Sequence, residues 1–193
     1  MAVLVAIADI PDFATPQQLE AYTKGAIPAD DPRVEDAIKA VTQSIRREAG
    51  WHIGPAVEGH SVTLDGPGGP TLLLPTQKLS ELVSLTELGV ALDVDALDWS
   101  EIGMVQRTDR CPWTSRFRKI VAVMNHGYDE FAELTFLTLS LVARGLASPM
   151  GATREQAGAM SINWATVQQG VSGGLVPLGY EREIMGRYKL VTA

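Results

Sequence analysis

One cysteine in 193 residues, Cys111, excludes an internal disulfide and any metal site built from several thiolates, and it fits a chain that folds in a reducing cytoplasm. Beside Pro112 and Trp113 it reads as a small hydrophobe. Histidine is almost as scarce. His52, His60 and His126 are the only side chains whose ordinary pKa lies near neutrality, and no His-x-x-x-His or similar ligand spacing links them. Cations are outnumbered, 16 Lys and Arg against 23 Asp and Glu. The net charge of −7 is spread as −4 over residues 1–60, −2 over 61–128 and −1 over 129–193. No large basic domain exists to hold a polyanion, so tight nucleic-acid binding is disfavoured. Long apolar runs are missing as well. The richest, residues 131–147, is interrupted by Glu133 and Arg144 and falls short of the ~20 residues of a membrane span, so no membrane partner is expected. Met1–Ile10 is apolar, but no Lys or Arg precedes it and it runs into Asp9 and Asp12, which argues against a secretory leader.

What is present describes one α+β domain: a small helical bundle carrying an inserted antiparallel sheet and hairpin region, followed by an extended C-terminal arm. Thr15-Pro16-Gln17-Gln18 carries a helix N-cap, a first-turn proline and a capping-box Gln, which predicts a short helix over 16–23. A second helix is predicted over 32–49, with Val34, Ile38, Val41 and Ile45 on one face and Gly50 as its stop. Short apolar runs punctuated by turn residues fill 57–125, with strands expected near 60–64, 71–75, 79–85, 96–101, 104–107 and 120–125. Proline at both ends of 71–75 marks an edge strand or the boundaries of a strand.

A third helix over 129–147 is apolar on nearly every face, through Phe131, Leu134, Phe136, Leu137 and Leu141, and must be covered on nearly every face. One side packed on its own chain and the other on a neighbouring copy meets that need. The core is assigned to 1–150 and the arm to 151–193, the arm with a strand near 160–165 and a helix near 179–188. Residues 151–158 read as loop and 168–174 as a flexible linker. A helix as short as 179–188 is marginal alone and needs a surface, either its own core or a partner.

Two tips stand out in the sheet region. Asp65-Gly66-Pro67-Gly68-Gly69-Pro70, between Ser61–Leu64 and Thr71–Pro75, reads as a long-tipped β-hairpin whose residues supply shape and little chemistry. Asp109–Ser115 reads as another, surrounded by Arg107, Arg110, Arg116, Arg118 and Lys119 with Trp113 and Phe117. Cations interleaved with aromatics are usually a solvated hairpin or the docking site of an acidic protein, and can also bind a nucleic-acid backbone. Signatures of catalysis are not found. Gly170-Val171-Ser172-Gly173-Gly174 lacks the register and the preceding strand of a nucleophile elbow, and no lysine or helix follows Gly66–Gly69 to make a phosphate loop. No catalytic residue, cofactor or metal is expected.

Five stretches in order, Gly25–Val34, Ile45–Pro55, Thr63–Gly69 with Leu72–Pro75, His126–Asp129 and Gly186–Leu190, resemble the head-to-tail adaptor (head-tail connector) proteins of tailed phages, especially long-tailed phages of actinobacteria. The resemblance runs from about residue 15 to the C-terminus. Residues 1–13 are more apolar than the family's usual start, and Ala49 stands where relatives often have cysteine before the Gly-Trp pair. The resemblance implies a virion structural protein, not an enzyme, assembled in the host cytoplasm as a ring, commonly of twelve copies. Such a ring sits under the portal protein, extends the DNA channel and offers a platform for the next neck protein, on the stopper or tail-terminator side. Subunit or partner contact candidates are then Asp65, Gly66, Pro67, Gly68 and Gly69 at the first tip, Trp113 and Arg116 at the second, Phe131 and Phe136 on the third helix, and Ile184, Met185 and Tyr188 in the arm. An acidic ring lets DNA slide, so acidic side chains are expected toward the lumen and the basic cluster toward protein. Without the resemblance, a non-virion regulatory module and a histidine-dependent enzyme stay open.

Overall fold

The computed structural model describes residues 10–147, 154–157, 160–163 and 177–190. The described residues fall into two compact units, one mainly helical and one built of antiparallel sheets, so the class is α+β as predicted.

The helical unit lies within Asp12–Glu48 and Phe131–Arg187. α1 (Pro16–Tyr22) starts at Thr15, whose side chain accepts from the Gln18 N–H at 3.2 Å while Gln18 Oε1 accepts from the Thr15 N–H at 2.8 Å. Both halves of the predicted capping box are made, satisfying two of the N–H groups that a helix start leaves unpaired. α2 (Val34–Ala49) buries the predicted stripe, with Val34, Ile38, Val41 and Ile45 all at most 3% exposed. Each such side chain contributes ~2 kcal/mol of apolar burial. Thr42 interrupts the stripe and is satisfied, its hydroxyl accepting from the Phe13 N–H at 3.3 Å.

α3 (Ala132–Ala147) buries Leu134, Leu137, Thr138, Leu139, Leu141 and Val142, and leaves Phe136 exposed. α4 (Gly179–Arg187) buries Met185 and the carboxylate of Glu181, which takes a two-pronged bond from Arg144 of α3 at 2.9 and 3.1 Å. The predicted arm helix thus packs on its own unit, because a buried carboxylate is tolerable only where a cation and N–H donors reach it. A two-stranded ribbon, β8 (Arg154–Ala157) with β9 (Met160–Asn163), also falls here. β9 answers the strand expected at 160–165, whereas β8 occupies a stretch read as loop, since its sequence carries no apolar alternation. The apolar residues 1–9 and the linker expected at 168–174 lie outside the described residues.

The sheet unit is centred on Ala49–Glu130, joined by Tyr188–Leu190. A four-stranded sheet has the order β1-β7-β3-β4, from β1 (Val57–Leu64), β7 (Ile120–His126), β3 (Leu79–Glu87) and β4 (Val90–Leu92). A three-stranded sheet has the order β2-β6-β5, from β2 (Thr71–Leu73), β6 (Met104–Arg107) and β5 (Leu97–Trp99). All pairings are antiparallel. β2 sits at an edge, as its flanking prolines predict. β7 alternates strictly, burying Ile120, Ala122, Met124 and His126. With Leu72, Leu85, Val105 and Trp113, its inward residues form the core of this unit.

Both predicted hairpins are corrected. β1 pairs with β7, Leu64 opposite Ile120, whereas β2 pairs with β6, Leu72 opposite Val105. Asp65–Pro70 is therefore a crossover from one sheet to the other, and residues 108–119, between β6 and β7, are the return crossover. The two predicted tips bond to each other. Gly66 N–H donates to Arg116 O at 3.0 Å, Gly68 N–H to Thr114 O at 3.1 Å, Trp113 N–H to Gly69 O at 2.9 Å, and Arg118 N–H to Asp65 Oδ1 at 2.7 Å. Gly66 is required on steric grounds, because a Cβ there would collide with the Thr114 carbonyl.

Candidate functional site

The sequence-predicted contact residues divide sharply by environment. Trp113 is unavailable to a partner. It is 2% exposed, donates its indole N–H to Pro70 O at 3.1 Å, and carries the Arg107 guanidinium 4.8 Å from its ring centroid. Arg107 in turn pairs with Glu87, whose other oxygen accepts from the Thr114 N–H at 2.6 Å. The basic cluster is thereby split: Arg107 serves the fold, and Arg110, Arg116, Arg118 and Lys119 are exposed. Asp65, Pro67 and Gly68 are exposed side-chain positions on a fixed backbone, with Gly66 and Gly69 half-buried between them. Met185 is buried, and Ile184 and Tyr188 are half-buried.

On the helical unit Phe136 is 61% exposed and meets Tyr22 edge-on at 5.6 Å. Tyr180 is also exposed, and its hydroxyl donates to Glu181 Oε1 at 3.3 Å. An exposed aromatic pair such as Tyr22 and Phe136 is a usual anchor of a protein interface. Phe131 is half-buried, tilted against buried Phe13 at 5.6 Å. Burial pushes the Glu181 carboxyl up, but hydrogen bonds from Arg144 and the Leu178 N–H outweigh it and hold the group below the ordinary range.

Sequence spacing missed one constellation. All three histidines converge in the sheet unit, each at most 7% exposed. His126 occupies the last inward position of β7, and His60 enters from β1 beside it. His60 Nδ1 and His126 Nε2 lie 2.8 Å apart with the rings nearly parallel, 10° between planes and 5.1 Å between centroids. His52 meets His126 edge-on at 4.4 Å, with its Nε2 3.1 Å from Pro55 O. That approach depends on Gly127, since a Cβ there would stand 2.7 Å from His52 Nε2. Trp51 stacks on the far side of the cluster, 6.2 Å from His126, and donates its indole N–H to Tyr188 O at 2.7 Å.

One proton bridges His60 and His126, so the pair is stable when neutral. Burial, reinforced by His52 and His60, pushes the His126 imidazole down to about 3, and burial lowers His60 as well. His126 Nδ1 has no hydrogen-bond partner among the described residues. These rings stack and bond to one another instead of aiming lone pairs at a common point, and no metal-binding group of His, Cys, Asp or Glu occurs among the described residues. The geometry seals a core and ties Tyr188–Leu190 to it, with Leu190 N–H donating to Ala49 O at 2.9 Å.

No protein-family description and no curated protein matches this chain. Solved structures do. A chain from the neck of a native GTA particle, computed with C12 symmetry, superimposes with a TM-score of 0.55 at 11% identity, over 100% of this chain and 97% of its own. A chain from the neck of an empty GTA particle, computed with C6 symmetry, gives a TM-score of 0.54 at 12% identity, over 99% and 94%. From end to end, this chain has the fold of the neck chains of GTA particles.

Proposed function

We propose that this chain is a virion neck protein, a head-to-tail adaptor that assembles as a homo-oligomeric ring. In this reading about twelve copies sit under the portal protein, extend the DNA channel and present a platform to the next neck protein. The observation that carries it is the fold shared with a neck chain over 100% of this chain and 97% of the other. Five ordered stretches that resemble phage adaptors support it independently.

Charge supports the channel role. Copies bearing −7 each form a strongly negative annulus, which repels phosphates and lets DNA pass without tight binding. A structural role is supported by the three histidines, which are buried and engaged with one another and with backbone. In this reading the chain is made in the host cytoplasm and carried in the virion. Mass spectrometry of purified particles tests the proposal. A stoichiometry near twelve per particle is expected, and absence from particles would favour a non-virion regulatory module.

A further inference from the structure

The loop 116–119 and the stretch 93–98 are opposite in charge, and both are displayed by the sheet unit. Arg116, Arg118 and Lys119 are exposed and make no ion pair among the described residues, on a chain whose net charge is −7. Between them Phe117 is 79% exposed, the most exposed large apolar side chain described. The loop is held rigidly: Arg116 O accepts from Gly66, Lys119 O accepts from Leu88, and Asp65 fixes Arg118 at a φ of 55°. A non-glycine residue kept in that region is backbone strain, and a pinned loop loses little entropy on binding.

Asp93, Asp95 and Asp98 lie within six residues of one another, exposed and without an ion pair among the described residues. Beside them is a recess of about 120 Å³ lined by Leu92, Asp93, Ala96, Leu97 and Asp109, and by Arg107, whose charge is taken up by Glu87. That volume approaches the ~150 Å³ of a cavity known to hold benzene.

We infer that the Arg116-Phe117-Arg118-Lys119 loop of one copy docks on the Asp93–Asp98 stretch of the next copy, Phe117 filling the Leu92–Leu97 recess. The inference rests on the ring reading and supplies its subunit contact. Two different surfaces of the same chain meet, so the contact is head-to-tail and closes into a ring when the rotation permits. Duplex DNA fits the loop less well, since a phosphate backbone offers cations a partner but offers Phe117 no recess.

The test reverses charge on each side separately, in the full chain. Arg116→Glu/Arg118→Glu/Lys119→Glu makes loop and stretch both acidic, and Asp95→Lys/Asp98→Lys makes both basic, leaving the capping carboxylates of Asp93 and Asp109 in place. Sedimentation velocity should find each variant folded by circular dichroism and at least tenfold weaker in self-association than wild type. Phe117→Ala should weaken association without changing the folded spectrum. Mixing the two charge variants in equal amounts should restore assembly, because the acidic loop now meets a basic stretch and the basic loop an acidic one. Variants that assemble like wild type, or a mixture that stays dissociated, overturn the docking pair while leaving the ring intact as a reading. A wild-type chain that stays monomeric at high micromolar concentration overturns both. Loss of duplex DNA binding by the loop variant, with assembly unchanged, would assign the loop to DNA instead.

Discussion

His126→Phe should remove most of the acid sensitivity of the sheet unit between pH 6.5 and 4.5. In the folded chain the His126 pKa lies at about 3 against an ordinary 6.5, so the unfolded chain binds a proton that the folded chain refuses. Stability is therefore complete above about pH 6.5 and falls with pH until the folded value is reached, at ~1.4 kcal/mol per unit. By pH 4.5 the loss from this residue alone is about 2.7 kcal/mol. His60, also lowered by burial, adds in the same direction. Phenylalanine keeps the stack with Trp51 and His60 but loses the His60 bond, costing about 1 kcal/mol at neutral pH. Urea unfolding of both proteins at several pH values in this window is the assay, with NMR titration of the His126 ring as a direct check. Parallel stability curves for wild type and variant, or a His126 titration near 6.5, would mean that His126 is not the source of the acid sensitivity.

Gly66→Ala should cost about 1–3 kcal/mol in urea unfolding, because the added Cβ meets the Thr114 carbonyl and must part the two crossovers. Glu181→Gln and Arg144→Met should each cost about 3–5 kcal/mol, the partner being left buried without its counter-charge, while the double replacement costs less than the sum. Deleting residues 175–193 removes α4 with Met185 and Glu181, so it should lower the unfolding midpoint of the chain. Phe136→Ala should leave stability within about 0.5 kcal/mol and weaken particle assembly, measured by the yield of tailed particles, if this exposed aromatic meets a partner.

Local chemistry was legible in the sequence wherever a few neighbouring residues decide the outcome. Thr15 and Gln18 announce the start of α1, the four-three-four spacing of Val34 to Ile45 gives the buried face of α2, and Pro70 with Pro75 marks β2 as an edge. Long-range pairing was not legible. Ser61–Leu64 and Thr71–Pro75 look like hairpin arms because they adjoin, yet Leu64 finds Ile120, and nothing between them encodes the switch of sheet. β4 is three residues long with no buried side chain, so it leaves no alternation to read. The histidine cluster escaped for the same reason: motif spacing detects ligands on one helix or loop, whereas His52, His60 and His126 arrive from three separate segments. Its one local clue was Gly127, directly after His126.

Electron microscopy of the particle neck, with this chain located by a bound antibody fragment, would show whether the chain forms the ring at all. One ring of about twelve copies is expected between portal and tail, with basic loops turned toward neighbouring copies and acidic side chains lining the lumen. A neck without this chain, or a ring whose Arg116–Lys119 loops face the DNA, would contradict it.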